Sequence, residues 1–283
     1  MLSDLERQPE EFITDPWVSE RVTLVAEQRG SVVAGAHLLR CRPGPEVGES
    51  YRDSGEINWF VCRPPASFRP DALDAAELLT RACLARLARW KVRRVHADGA
   101  LPAPVVYGLP RTWPHIRAVY EAAGFRHVGD TEVILLARVA DLPHPEPVRG
   151  VTFRRTVGEC GTRFTACADG RALGFIEVDT ALARPERHLR ADGLADIGDL
   201  HIDPAALGTG LEHRLLAHAA GWLRLCGADR LAAHLGEEET EMHGLLTGAG
   251  FIELTRTDRG WELRPARPGP AEAPQIPGRY RSG

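Results

Sequence analysis

The stretch of this chain best equipped for chemistry runs from Ile202-Asp203-Pro204 into Leu207-Gly208-Thr209-Gly210-Leu211-Glu212-His213. A β-branched apolar run stops at the proline, two glycines follow one residue apart, and apolar residues at helical spacing begin at Leu211. A helix start leaves its first amides unpaired and carries partial positive charge, so it attracts phosphate. Glycine lets the backbone come close to such an anion because no Cβ stands in the way. The residues expected to cradle a phosphate are therefore Leu207, Gly208, Thr209, Gly210, Leu211, Glu212 and His213. The plain alternative is a strand-to-helix turn that needs flexible residues. Glu212 is discordant: two like charges about 4 Å apart repel by roughly 1 kcal/mol in water and by several at lower effective dielectric. A glutamate in a first helical turn is nevertheless favourable to the helix itself. A dinucleotide loop is discounted, because its third glycine position is held by His213.

The elements that must position this segment occur twice. In the first half, Val22 to Ala26 and Val32 to Leu39 are β-rich runs split by Gln28-Arg29-Gly30, which reads as a hairpin. Ile57 to Val61 is a strand ended by Pro64-Pro65, and Ala72 to Trp90 has one apolar stripe at helical spacing. Val92 to Ala97 is a strand, His115 to Ala123 a short helix stopped by Gly124, and Val133 to Val139 a last strand. After Asp141 to Arg149, with three prolines, the order returns. Val151 to Arg155 is a strand, and Phe164 to Ala168 pairs with Ala172 to Val178 across Asp169-Gly170. Ile197 to Ile202, a helix from Leu211 to Cys226, Arg230 to His234, a helix from Glu239 to Gly248, and strands at Phe251 to Leu254 and Gly260 to Leu263 complete it. Ala123-Gly124-Phe125 answers Ala249-Gly250-Phe251. A repeat this long means duplicated domains and not a solenoid.

The expected division is residues 1–140, a linker at 141–149, residues 150–264, and a disordered Pro/Gly/Arg tail at 265–283. The net charge of −4 offers no basic field for nucleic acid. No apolar run approaches the roughly 20 residues that cross a bilayer, and the polar N-terminus does not read as a signal peptide. Six scattered cysteines form no zinc spacing and suit a reducing compartment. A cytoplasmic protein, a monomer or homodimer with neither nucleic acid nor membrane as partner, is expected.

The strand-Pro-x-x-Leu-Gly-Thr-Gly-helix sequence at 202–216, with Ala249-Gly250-Phe251 after a short helix, resembles the two signatures of the GNAT acetyltransferase superfamily. The first half resembles it in element order and in Val119 to Phe125. Across both halves the likeness spans about nine tenths of the chain. It implies an α+β fold of two tandem GNAT-like domains, each a mixed, mostly antiparallel twisted sheet flanked by helices. It also implies acetyl-CoA as acyl donor and an amine of a small molecule or peptide as acceptor. Leu200, His201 and Ile202 then offer strand-edge groups to the pantetheine arm and thioester. The second half is the better cofactor candidate, because the first has Ser67-Phe68-Arg69-Pro70-Asp71-Ala72-Leu73-Asp74 where the glycine loop belongs. Leu207 and Glu212 depart from the family pattern, which keeps open a second reading, a non-catalytic acyl-CoA-binding or scaffold protein.

Amine acetylation needs a base for the amine and an acid for the leaving thiolate. The family's acid is often a tyrosine four residues before the glycine of Gly-Phe; by that spacing it is Tyr120 in the first half, whereas the second half has Leu246. His243, one turn earlier, is the stand-in, and packing or exposed-helix roles are the plainer readings of both. Asp199 leads the base candidates, with Asp196 and Glu177 behind it; strand alternation puts Asp199 and His201 on one face and leaves Asp196 undecided. Thr156 to Arg163 is too short for the helices that wall the family's acceptor groove. The loop Leu101 to Pro114, with Tyr107, Arg111 and Trp113, is suited to complete that wall.

Overall fold

The computed structural model describes residues 17–45, 47–64, 72–97, 101, 105–147, 149–159, 161–180 and 193–263. The expected disordered tail and the residues before 17 lie outside them, as do residues 67–71 of the first half's loop. Strands β1 (Val18–Gln28) and β2 (Ser31–Cys41) form a hairpin. Its turn residues Arg29 and Gly30 both have positive φ, the geometry whose twist suits a two-residue hairpin. Then follow β3 (Ser54–Cys62), helix α1 (Ala72–Trp90), β4 (Arg94–His96), β5 (Leu109–Pro110), α2 (Pro114–Ala122), β6 (Phe125–His127) and β7 (Thr131–Arg138). Past the linker come β8 (Thr152–Gly158), β9 (Gly161–Ala168), β10 (Arg171–Asp179), β11 (Leu194–Ile202) and α3 (Leu211–Leu225). The last elements are β12 (Arg230–Gly236), α4 (Thr240–Gly248), β13 (Ile252–Asp258) and β14 (Trp261–Leu263).

Two mixed sheets result. One runs β1-β2-β3-β4-β14-β6 and the other β5-β13-β7-β12-β11-β10-β9-β8. Each contains one parallel pair, β3 with β4 and β11 with β12; the other pairings are antiparallel. The α+β architecture of two mixed sheets flanked by helices, expected from the resemblance, is present. The sheets, however, exchange strands across the linker. β7, which precedes the linker, lies between β12 and β13 of the second sheet. β14, at the far end of the second half, lies between β4 and β6 of the first. The two crossings run antiparallel in contact: the Val128 amide donates to the Gly260 carbonyl and the Arg259 amide to the Asp130 carbonyl.

The cores follow this exchange. α1 buries Ala76, Leu79, Cys83, Leu87 and Trp90 in the first core, which Trp261 of β14 completes. α3 buries Leu211, Leu215, Leu216, Ala219, Ala220 and Leu223 in the second, which Val133, Leu135 and Ala137 of β7 complete. The repeat is legible residue by residue in β3 and β11. Ser54, Gly55 and Glu56 pair in parallel with Arg94, Val95 and His96, as Leu194, Ala195 and Asp196 do with Arg230, Leu231 and Ala232. Each strand then carries a bulge, at Asn58 and at Gly198.

Candidate functional site

The phosphate-cradle segment is built from the end of β11 upward. The Asp203 amide donates to the Leu173 carbonyl, and its carboxylate accepts from the Ala205 amide at 2.9 Å and from Arg171 at 2.7 Å. That fixes the 3-10 turn Pro204–Ala206. The Thr209 hydroxyl donates back to the Ala206 carbonyl at 2.7 Å. Gly208 and Gly210 have φ of 73° and 74°, the left-handed region that side chains resist. A Cβ on either would meet nothing within 4 Å, so their backbone borders open space. α3 begins at once, and the Arg214 amide is its first to find a partner, the Gly210 carbonyl. The amides of Leu211, Glu212 and His213 are thus the orphan donors of a helix N-terminus. Leu207 is exposed, His213 also, and Glu212 is buried in the first turn.

Above this loop the two parallel strands part. β11 and β12 pair only over Leu194–Asp196 and Arg230–Ala232, although β11 continues to Ile202 and β12 to Gly236. Beyond Asp196, β11 keeps its pairing with β10 and leaves its other backbone edge to the gap. The Gly198 bulge then reverses the faces. Ala195, Ile197, Leu200 and Ile202 face the α3 core, while Asp196, Asp199 and His201 share the opposite face. Strict alternation could not place Asp196; the extra residue puts it beside Asp199. Their partners across the sheet are Asp179 and Glu177 respectively, so carboxylates scattered in sequence stand together. Glu177 is fully buried and bonded to Arg163, which stacks on Phe175; Phe175 in turn lies against His201.

One residue of this face had no sequence signal. His234, on β12, places Nδ1 3.3 Å from the Asp196 carboxylate and Nε2 2.8 Å from the Val105 carbonyl, with Tyr107 beside its ring. Burial pulls this imidazole down, but the Asp196 hydrogen bond and charge, the Val105 carbonyl and the Glu132 charge together hold it above the ordinary value. Val105 and Tyr107 come from the first half. Residues 105–107 thus pack on the second sheet as a wall, Val105 being buried with Leu194 and Ala232. Arg111 anchors it to Asp258 at 3.0 Å and to Glu237 at 2.9 Å. A lone histidine flanked by alanine and leucine gives no hint of a carboxylate partner from another strand.

The acid candidates lie apart from this face. Tyr120 is packed in the first core among Phe60, Phe125 and Trp261, and burial pushes its hydroxyl well up. His243 faces β13, 3.8 Å from Glu253, and Leu246 is buried in the second core. Among the described residues no group of His, Cys, Asp and Glu is arranged to hold a metal, and no helix is long and apolar enough to cross a membrane.

Comparison with known proteins bears on the same region. Residues 135–251 match the sequence model of the Acetyltransferase (GNAT) family, a span opening on β7 and closing at Phe251. Over 102 residues the chain is 32% identical to an aminoglycoside N(6')-acetyltransferase type 1 of Stenotrophomonas maltophilia, covering 34% of this chain and 63% of that protein. The chain thus spans less than two thirds of that relative. Solved structures resemble it over nearly its whole length. A tandem GNAT protein from the clavulanic acid biosynthesis pathway is matched at TM-score 0.54 and 15% identity, over 89% of this chain and 85% of that one. A GCN5-related N-acetyltransferase from Sphaerobacter thermophilus is matched at 0.58 and 15%, over 94% and 86%. At such identity the likeness is one of fold.

Proposed function

We propose that the chain, whose residues 135–251 match the Acetyltransferase (GNAT) family, is a tandem-domain member of that superfamily and transfers an acetyl group from acetyl-CoA to a small-molecule amine. The observation that carries this reading is the parting of β11 and β12 directly above the glycine loop of α3. A diphosphate fits the open side of Gly208 and Gly210, where the orphan amides of Leu211 to His213 supply donors and partial positive charge. The free edge of β11 beyond Asp196 supplies backbone groups for an extended amide-bearing arm. Glu212 is buried in the helix's first turn and so is not displayed on the solvent side of the loop, as Leu207 and His213 are.

When bound, the donor supplies an activated thioester carbonyl. Amides on the free edge of β11 donate to its oxygen as charge develops there. The carboxylates of Asp196, Asp199 and Asp179 draw a protonated amine to the adjoining face. Asp199 is exposed and takes the ammonium proton on its carboxylate. Leu246 stands where the family's tyrosine would, so solvent protonates the thiolate. The acidic face is the reason for preferring a cationic amine, and the aminoglycoside acceptor named for the Stenotrophomonas relative makes that class the first to screen.

The test is calorimetric titration of the protein with acetyl-CoA and with coenzyme A, beside the Gly210→Trp variant. Micromolar binding by the native chain and its loss in the variant are expected. No heat and no thermal shift at millimolar ligand would sink the enzyme reading and leave a scaffold. Cofactor binding without acetylation across a broad panel of amines would support the non-catalytic acyl-CoA binder.

A further inference from the structure

Residues 105–111 carry the first half onto the second sheet, and their two ends are held differently. At the far end Leu109 and Pro110 pair with Asp258 and Thr257 of β13, and the Arg111 amide donates to the Arg256 carbonyl at 2.8 Å. Gly108 is packed so closely there that a Cβ would lie 2.9 Å from the Asp258 carbonyl oxygen. At the near end Val105 has φ of 57°, the left-handed region that a β-branched side chain resists more than most. Such a backbone persists where its surroundings over-determine it. The Val105 side chain is buried with Leu194 and Ala232, and its carbonyl accepts from His234 Nε2 at 2.8 Å.

That bond has a definite direction: a carbonyl accepts and never donates, so Nε2 carries the proton. The groups facing the ring are Asp196 from β11, the Val105 carbonyl and Tyr107 from the first half, and Glu132 from β7, itself bonded to Arg259 at 2.6 Å. Side chains two apart on a strand share a face. Leu194 and Asp196 of β11 therefore stand with Ala232 and His234 of β12 on one side of the parallel pair. Past the bulge Asp199 and His201 join that side. Residues 105–107 thus border the face to which the amine is drawn, beside the parting of β11 from β12.

We propose that His234 is a positioning residue for the acceptor: by holding the Val105 carbonyl it keeps residues 105–107 of the first half in a strained but fixed shape, as a wall of the acceptor face. The inference rests on the acetyl-transfer reading above. The first half, without a glycine loop, then supplies shape to the acceptor site, and His234 acts through Val105 and touches no reacting atom. A wall already ordered does not have to be ordered by the acceptor, which tightens acceptor binding and leaves the chemical step alone.

The experiment compares the full chain with His234→Gln, His234→Asn and Val105→Gly at one neutral pH. A glutamine amide reaches the place of Nε2 and restores the bond to Val105; an asparagine amide reaches only that of Nδ1 and does not. Val105→Gly removes the strain and the buried side chain without touching His234. By hydrogen exchange, which needs no substrate, the amides of residues 105–107 should exchange about tenfold faster in His234→Asn and Val105→Gly and near the native rate in His234→Gln. Kinetics use acetyl-CoA and whichever amine the native chain acetylates in a panel led by kanamycin, spermidine and 2-phenylethylamine. KM for that amine should rise about tenfold in the same two variants, with kcat within about threefold of native. His234→Gln should stay near native in both, and acetyl-CoA titrations should be unchanged in all three. Exchange unmoved by His234→Asn and Val105→Gly overturns the proposal, as does an unchanged KM beside faster exchange. So does a loss confined to kcat that His234→Gln fails to rescue, which would put the ring in proton transfer. A native chain that acetylates none of the panel sinks the acetyl-transfer reading and this inference with it; faster exchange in the two variants would then place the failure in that reading and not in the strap.

Discussion

His234 shows how much of a site depends on what a side chain meets after folding. Its Nδ1 lies 3.3 Å from the Asp196 carboxylate and its Nε2 2.8 Å from the Val105 carbonyl, two groups that both favour the protonated ring. Its folded-state value is raised above the ordinary 6.5, so the folded chain binds this proton more tightly than the unfolded chain does. The resulting stability is complete below that ordinary value and is lost as pH climbs through the raised one. Melting the native chain and His234→Gln side by side from pH 5.5 to 9 should therefore show the largest gap at the acid end, narrowing as pH rises. A gap that widened toward alkaline pH would mean that the ring works here as a neutral acceptor. The sequence offered Asp199 and the glycines of the loop because residue type and position carry them. It could not offer Asp196 with His234, because a bulge and a parallel register, both set by tertiary pairing, bring them together. The gathering of Asp179, Glu177, Asp196 and Asp199 was hidden for the same reason: the chain separates them by the whole β10–β11 connection.

Among elements, the long periodic ones were readable. α1 and α3 begin and end close to where their apolar stripes do, and the hairpins turn at Arg29-Gly30 and Asp169-Gly170, where left-handed residues were expected. The destinations of β7 and β14 were not readable, since a short apolar strand pairs equally well with any strand whose face matches it. What commits them is the contact between their crossings. Gly260 has φ of 72°, and a Cβ on it would lie 2.7 Å from the Cα of Gly129; a Cβ on Gly129 would lie 2.7 Å from the Arg259 carbonyl oxygen. Gly260→Ala must therefore bear both left-handed strain and a backbone clash. Gly170→Ala, at φ 78° with nothing within 4 Å, bears the strain alone. Denaturant melts should give a loss of about 1 kcal/mol for Gly170→Ala, within the range for a side chain in the left-handed region. Gly260→Ala should lose clearly more, about 3 kcal/mol, as stacked strain and clash imply. Equal losses would show that the crossings are loose enough to separate.

For the whole molecule, strand exchange makes the linker a poor place to cut. A fragment of residues 1–140 lacks β14, so β4 and β6 lose the strand between them and the core loses Trp261. A fragment of residues 150–283 lacks β7, which parts β12 from β13 and removes Val133, Leu135 and Ala137 from the second core. Each fragment would also expose strand edges that the intact chain covers, which invites aggregation. The intact chain is thus expected to melt in one cooperative transition, and neither fragment to show one alone. Co-expressed, the two fragments should associate and restore it, because each supplies the strand that the other sheet needs. Two separate transitions in the intact chain, or a cooperative melt by either fragment, would show that the exchanged strands add little. The same exchange bears on function: β7 is the neighbour that holds β12 in place beside the parting from β11. The glycine loop on its own fragment should therefore bind acetyl-CoA at least tenfold more weakly than the intact chain, and regain that affinity when the first fragment is added.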